Sequence, residues 1–157
     1  GDNMTHLSHE RLPVVARITP QTITADAETT SDIIDMRYWQ ECIAYFNMGA
    51  YAGGDDGAVA VKVEVSNDGT SFTNGADLAG KVLTAATFTG SAGDDVVGII
   101  RWRNDEMVVS GTEYRYARVS VTPDNQNLTC GLIVVGVGGR YQPGTDYDIA
   151  TVKEIIG

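Results

Sequence analysis

The chain has 157 residues, 43% of them hydrophobic, two cysteines and a formal net charge of −10. That length buries one core without covalent staples, and that hydrophobic fraction excludes an unfolded chain. The acid excess repels phosphate backbones, so a nucleic-acid partner is not expected.

Residues 1–14 carry no hydrophobic period and include Pro13. They read as a terminal segment, mobile or laid against a partner. No basic-then-apolar opening suggests a secretion signal, and the chain is expected to be soluble and made in the cytoplasm. Val14 to Thr19 and Gln21 to Ala25 look extended, with Pro20 between them marking an edge strand or a strand start. Tyr38 to Met48 sets Cys42, Ala44, Phe46 and Met48 on one side in a period of two. Met36, Trp39, Ile43 and Phe46 also fit a helical spacing, but aromatic and β-branched content and the closing Gly49 favour a strand.

Ala58 to Ser66 is the clearest element. Val59, Val61, Val63 and Val65 point one way, with Ala60, Lys62 and Glu64 opposite, as in a strand with one face in a core. Asn67-Asp68-Gly69 then supplies the positive φ of a tight turn. Ser71 to Thr73 is expected to begin the return strand, with Phe72 as its inward anchor, Asn74 to Gly80 to be loop, and Lys81 to Thr89 a strand. In Val96 to Arg103, Ile100 and Trp102 share a face. Met107 to Val109 is a short strand, and Tyr114 to Thr122 turns Ala117, Val119 and Val121 inward.

Leu128 to Val137 is almost wholly apolar, which predicts a strand buried on both faces or covered by something else, with Gly136, Gly138 and Gly139 stopping it. The longest apolar stretch, Gly131 to Gly139, falls far short of the roughly 18–20 residues of a membrane span, so no membrane partner is expected. Ile149 to Ile156 reads as a short helix or an extended arm whose isoleucines need a surface to cover. About 8–9 short strands with turn chemistry between them predict an all-β fold. The expected architecture is a single antiparallel β-sandwich, jelly-roll-like, over residues 17–140, with arms at 1–16 and 141–157.

Candidate chemistry is thin. Asp55-Asp56 and Asp94-Asp95 sit among glycines, as solvated turn residues do, without the ligand spacing of a calcium loop. The histidines are His6 and His9, both in a loose terminus where a catalytic base is poorly held. Cys42 and Cys130 fall in separate apolar strands, read as buried free thiols, and lack zinc-ligand spacing. Arg101 and Arg103 share a strand face, with Arg115 and Arg118 following. Paired surface charges are expected there rather than a basic stripe. No catalytic residue, metal or cofactor is expected.

Four stretches carry a family likeness. They are Ile18-Thr19-Pro20-Gln21-Thr22-Ile23; Ile33-Ile34-Asp35 leading to Tyr38; Val63-Glu64-Val65-Ser66-Asn67-Asp68-Gly69-Thr70-Ser71-Phe72; and Tyr114-Arg115-Tyr116-Ala117-Arg118-Val119-Ser120-Val121-Thr122 with the following apolar strand and Arg140-Tyr141-Gln142-Pro143. In them the chain resembles the capsid decoration or cement proteins of tailed bacteriophages, small virion proteins with a jelly-roll-like sandwich. The resemblance implies a non-enzymatic protein on the capsid exterior, with no cofactor and no small-molecule substrate. Its implied partners are the major capsid protein and neighbouring copies of itself, often as trimers. A neck, tail or head-fibre protein of the same kind of virion shares these features, and a carbohydrate-binding sandwich module is a further alternative. The termini are then expected to hold the partner contacts, with Leu7, Leu12, Val14, Tyr147, Ile149, Val152, Ile155 and Ile156 as apolar anchors.

Overall fold

Alternation of valine with polar residues builds the core of this protein. Val59, Val61, Val63 and Val65 are all fully buried, facing Phe46, Met48 and Trp102 from the opposite sheet within one continuous cluster. The structure, a computed structural model, describes residues 11–51, 58–72, 76–83 and 95–140. Its strands are β1 (Val14–Ile23), β2 (Thr29–Thr30), β3 (Ile34–Asp35), β4 (Trp39–Tyr51), β5 (Val59–Ser66), β6 (Ala76–Val82), β7 (Val96–Arg103), β8 (Val108–Val109), β9 (Thr112–Glu113), β10 (Tyr116–Pro123) and β11 (Leu128–Gly139).

All pairings among these strands are antiparallel. One sheet has the order β1-β11-β4-β7; the other runs β2-β10-β5-β6, with β3 also on β10. The β8–β9 hairpin stands apart. Taking β2 and β3 as one interrupted strand leaves two four-stranded sheets whose edges and centres interleave along the chain, the arrangement of a jelly roll. The expected all-β sandwich is present, with eleven strands among the described residues where eight or nine were expected. The surplus is the two-residue ladders β2, β3, β8 and β9, too short to show a period.

β4 is a strand, not a helix: Cys42, Ala44, Phe46 and Met48 are its buried side. Pro20 sits where β1, the edge strand, slips its register against β11 between Ile18 and Gln21, a position that tolerates a missing N–H donor.

Two boundaries differ from expectation. Residues Ala76 to Gly80, read as loop, belong to β6, while Ser71 and Phe72 lie outside any strand. Gly80 takes a φ of +72° and β6 slips against β5, so this edge strand is bulged and buries only Leu78. Residues 84–94 lie outside the described residues. The Phe72 side chain is nevertheless buried, as expected.

The turn after β5 follows its sequence signature. Gly69 adopts a φ of +70°, and Asp68 Oδ1 accepts the N–H groups of Ser71 (2.8 Å) and Thr70 (2.9 Å) and the Ser66 hydroxyl (2.9 Å). The Ser71 and Thr70 N–H groups, then the Ser66 hydroxyl, hold the Asp68 carboxyl down at about 2. A lowered folded value stabilises the fold fully above the unfolded value of about 3.9 and loses that contribution as pH falls through about 2. A carboxyl NMR titration is expected to place the Asp68 midpoint near 2; a midpoint near 4 would mean that these hydrogen bonds are not made in solution.

The C-terminal glycines do not stop β11, which pairs with β4 as far as Gly139 opposite Trp39. Gly136 instead makes room. A Cβ there would lie 2.6 Å from Cε3 and 2.7 Å from Cδ2 of the buried Trp39 ring. Gly136→Ala is therefore expected to cost about 1–3 kcal/mol by overpacking, read from urea denaturation. A neutral result would show that Trp39 does not lie against this strand.

Candidate partner-binding face

The outer faces of the two sheets differ in chemistry. On the β2-β10-β5-β6 sheet the outer face is polar and its charged side chains pair with one another, although the Ser120 hydroxyl beside them is buried without a partner among the described residues. Arg118 Nε donates to Glu64 Oε2 at 2.7 Å and its Nη2 to Glu28 Oε1 at 3.3 Å, while Lys62 Nζ meets the Asp77 carboxylate at 3.0 Å. Arg118 also lies over the Phe72 ring, 4.2 Å from its centroid.

The β1-β11-β4-β7 sheet presents the opposite. Ile133 pairs with Tyr45, and Tyr45 with Ile99, so the three share the outer side of adjacent strands. Their exposures are 48%, 42% and 57%, and Val97 next along β7 is 59% exposed. Val135 pairs with both Val14 and Ile43 to add a half-buried row behind them. A solvated sheet face normally alternates to polar residues here. This one is continuous aliphatic and aromatic surface, the kind of patch that marks an interaction site.

β11 is therefore buried on one face only, which removes the first of the two readings of its apolar run. The signal for the exposed face was in the sequence: Ile43, Tyr45, Val97, Ile99, Ile133 and Val135 occupy the opposite parity to the core residues of their own strands.

Of the expected anchors, Leu12 and Val14 are described. Val14 opens β1 at the margin of this face, and Leu12 is exposed just before it. Leu7, Tyr147, Ile149, Val152, Ile155 and Ile156 lie outside the described residues, as do Asp55, Asp56, Asp94, His6 and His9. The Gly136 N–H donates to the Pro13 carbonyl (3.0 Å), and the Arg140 N–H donates to the Tyr38 carbonyl (2.7 Å). Because β1 and β11 are antiparallel, the chain enters and leaves at one end of the same sheet.

Two shallow grooves lie at that end. One of ≈ 530 Å³ is lined by Met36, Arg37, Asn104, Asp105, Tyr114 and Arg115; the other, ≈ 250 Å³, includes Trp39, Gln40 and Arg140. Asp35 takes a two-pronged contact from Arg115 (Nη2–Oδ2 2.7 Å, Nε–Oδ1 3.1 Å) and a third from Arg37 at 3.3 Å. Burial works to raise the Asp35 carboxyl, but the Arg115 hydrogen bonds and the Arg37 N–H outweigh it and hold the value below the usual range. The grooves thus present guanidinium groups already shared with a carboxylate.

Each arginine flagged in the sequence has a carboxylate partner: Glu41 for Arg101 (3.7 Å), Asp105 for Arg103 (3.3 Å), Asp35 for Arg115 and Glu64 for Arg118. Arg101 and Arg103 lie on one sheet, Arg118 on the other and Arg115 just before β10, so they form no stripe. Cys42 and Cys130 are buried free thiols. Cys42 faces Gly136 on β11, six positions from Cys130, or about 20 Å along the strand, well beyond disulfide reach. Among the described residues, no three His, Cys, Asp or Glu side chains group as metal ligands, and no helix is long and apolar enough to cross a membrane. No protein-family model matches the chain, and no curated protein matches its sequence.

Proposed function

We propose that this chain is a non-enzymatic structural protein of a virion, held on the outside of a capsid shell by its terminal segments and its exposed apolar surface. The observation that carries the reading is the Ile133–Tyr45–Ile99 row, an apolar face on a sandwich whose own core is already complete. Such a face is stable when another macromolecule covers it. The likeness to decoration proteins supplies the kind of assembly, and jelly rolls are common among capsid proteins, although a fold alone assigns no function. A net charge of −10 suits a particle exterior and ill suits a surface lining packaged DNA.

A carbohydrate-binding role finds less support. Tyr45 is the one aromatic among the large exposed hydrophobics of the described residues, and its cross-strand neighbours are aliphatic, without the hydrogen-bonding groups a sugar requires. Imaging of purified particles that carry the chain tests the proposal. Copies in the hundreds over the shell are expected. A dozen at one vertex would move the protein to the neck or tail, and absence from particles would overturn the virion reading.

A further inference from the structure

An open sheet leaves a row of unpaired N–H and C=O groups on each outermost strand, and most of the edges here are guarded against pairing. β1 carries Pro20 and two register shifts, and its Arg17 N–H donates to Asp32 Oδ2 at 3.1 Å. β6 slips at its bulge, and β2 and β3 have two residues each. β7 is different. It pairs with β4 over eight consecutive positions without a shift and contains no proline. We propose that the free edge of β7 pairs antiparallel with β7 of a second copy of this chain, about a two-fold axis at Ile99. This goes beyond the virion reading and does not rest on it.

The direction of the β7 backbone groups follows from the neighbouring strands. The Gly136 N–H donates to the Pro13 carbonyl on the β1 side of β11, and direction alternates along a strand, so Ile133 and Val135 turn toward β4. Their partners Tyr45 and Ile43 turn back toward β11, which leaves Cys42 and Ala44 facing β7. Trp102 and Ile100, opposite those two, therefore face β4. Val97, Ile99 and Arg101 direct their N–H and C=O groups to the free side. The Arg103 N–H agrees, since it leaves the ladder for Glu106 Oε2 at 2.8 Å. Among the described residues nothing hydrogen-bonds the backbone of Val97, Ile99 or Arg101 on that side. Val97 and Ile99 are also the two most exposed of the large hydrophobics described.

A second copy of the chain completes this edge. With the axis at Ile99, Ile99 meets its own counterpart and Val97 meets Arg101, and each such pair exchanges two backbone bonds. Every free group of Val97, Ile99 and Arg101 on both copies is then used. Moving the register toward Arg103 sets Ile99 against Arg101 and brings up an N–H already given to Glu106. Charge does not oppose the pairing. Arg101 is held by Glu41 at 3.7 Å and Arg103 by Asp105 at 3.3 Å within each copy, and neither meets an arginine across the axis. The Ile133–Tyr45–Ile99 row runs on into the same row of the other copy. Main-chain hydrogen bonds supply the affinity in strand addition, so the small area of the side-chain face is not limiting.

Sedimentation of the full-length protein tests this, with Ile99→Pro as the edge variant. Proline there removes an N–H that no bond within the chain uses, a change an edge strand tolerates on its open side. The unaltered chain is expected to be a dimer, and Ile99→Pro to associate at least tenfold more weakly while keeping its near-UV circular dichroism. Should that variant unfold, Ile99→Lys keeps the backbone donor and sets two ammonium groups directly across the axis, with the same expected loss. Mild oxidation gives a second readout. Across a hydrogen-bonded pair the Cα atoms lie about 5.5 Å apart, within disulfide range, whereas the two copies of Ile133 are five strand spacings or about 24 Å apart. Ile99→Cys is therefore expected to cross-link between copies at least tenfold faster than Ile133→Cys. A monomeric unaltered chain, a trimer or larger ring, association indifferent to both variants, or equal cross-linking at the two positions would overturn the proposal. None of these outcomes bears on the virion reading, which particle imaging decides.

Discussion

Trp102→Ala is expected to cost the fold about 3–5 kcal/mol, lowering the midpoint of thermal unfolding by roughly 10 °C in a chain of this length. Trp102 is fully buried on the inner side of β7, opposite Cys42, and belongs to the cluster that joins the two sheets. Its removal leaves a cavity that rigid strands on both sides cannot close. Its indole N–H meets no acceptor among the described residues, so the residue is retained for volume and not for a hydrogen bond. Trp102→Phe is accordingly expected to cost well under half as much, since it keeps most of the ring and removes an unsatisfied donor. Equal losses for the two variants in urea denaturation would contradict a role through volume, and negligible losses for both would place Trp102 outside the core.

Arg118→Ala is expected to be the most damaging change on the outer side of the other sheet, at about 2–3 kcal/mol. Glu64 is only 8% exposed, and Arg118 supplies its 2.7 Å hydrogen bond; what remains is Lys62 at 3.8 Å. Removing one partner strands a buried charge, whereas replacing both partners with apolar groups removes the desolvation cost together with the attraction. Arg118→Met combined with Glu64→Met is therefore expected to recover most of the loss. A double change as damaging as the sum of the single ones would show that the pair does not interact. The aliphatic stem of Arg118 and its stacking on Phe72 add a smaller term that methionine partly keeps.

How much of this was legible in the sequence depended on how local the signal was. The valines of β5 and the β4 positions Cys42, Ala44, Phe46 and Met48 announce a period of two, and the structure buries those residues. The Asp68-Gly69 turn was equally readable, because a positive φ and a side-chain acceptor are properties of three or four consecutive residues. β6 was not, since an edge strand bulged at Gly80 buries one side chain and presents no alternation. Neither was the role of Gly136, whose neighbour Trp39 is nearly a hundred positions away along the chain. The apolar outer face lies between these cases. Its residues sit at the wrong parity for the core in three separate strands, but only the order β11-β4-β7 shows that Ile133, Tyr45 and Ile99 form one surface.

On the proposed reading, that surface carries the partner contacts. The inner faces of both sheets are used for folding, and the outer face of one is used for charge pairing. What is left over is hydrophobic and adjoins the end of the sheet where β1 begins and β11 ends. Cysteine chemistry offers a direct probe of it. Cys42 and Cys130 are buried, and burial raises both thiols, Cys130 to about 11, so both are poorly reactive near neutral pH. An Ile99→Cys substitution then places the one accessible thiol on the β7 side of the face, next to Tyr45. Its alkylation rate is expected to fall at least tenfold when the protein passes from dilute solution into its assembled form. An unchanged rate in the assembly would contradict a covered face.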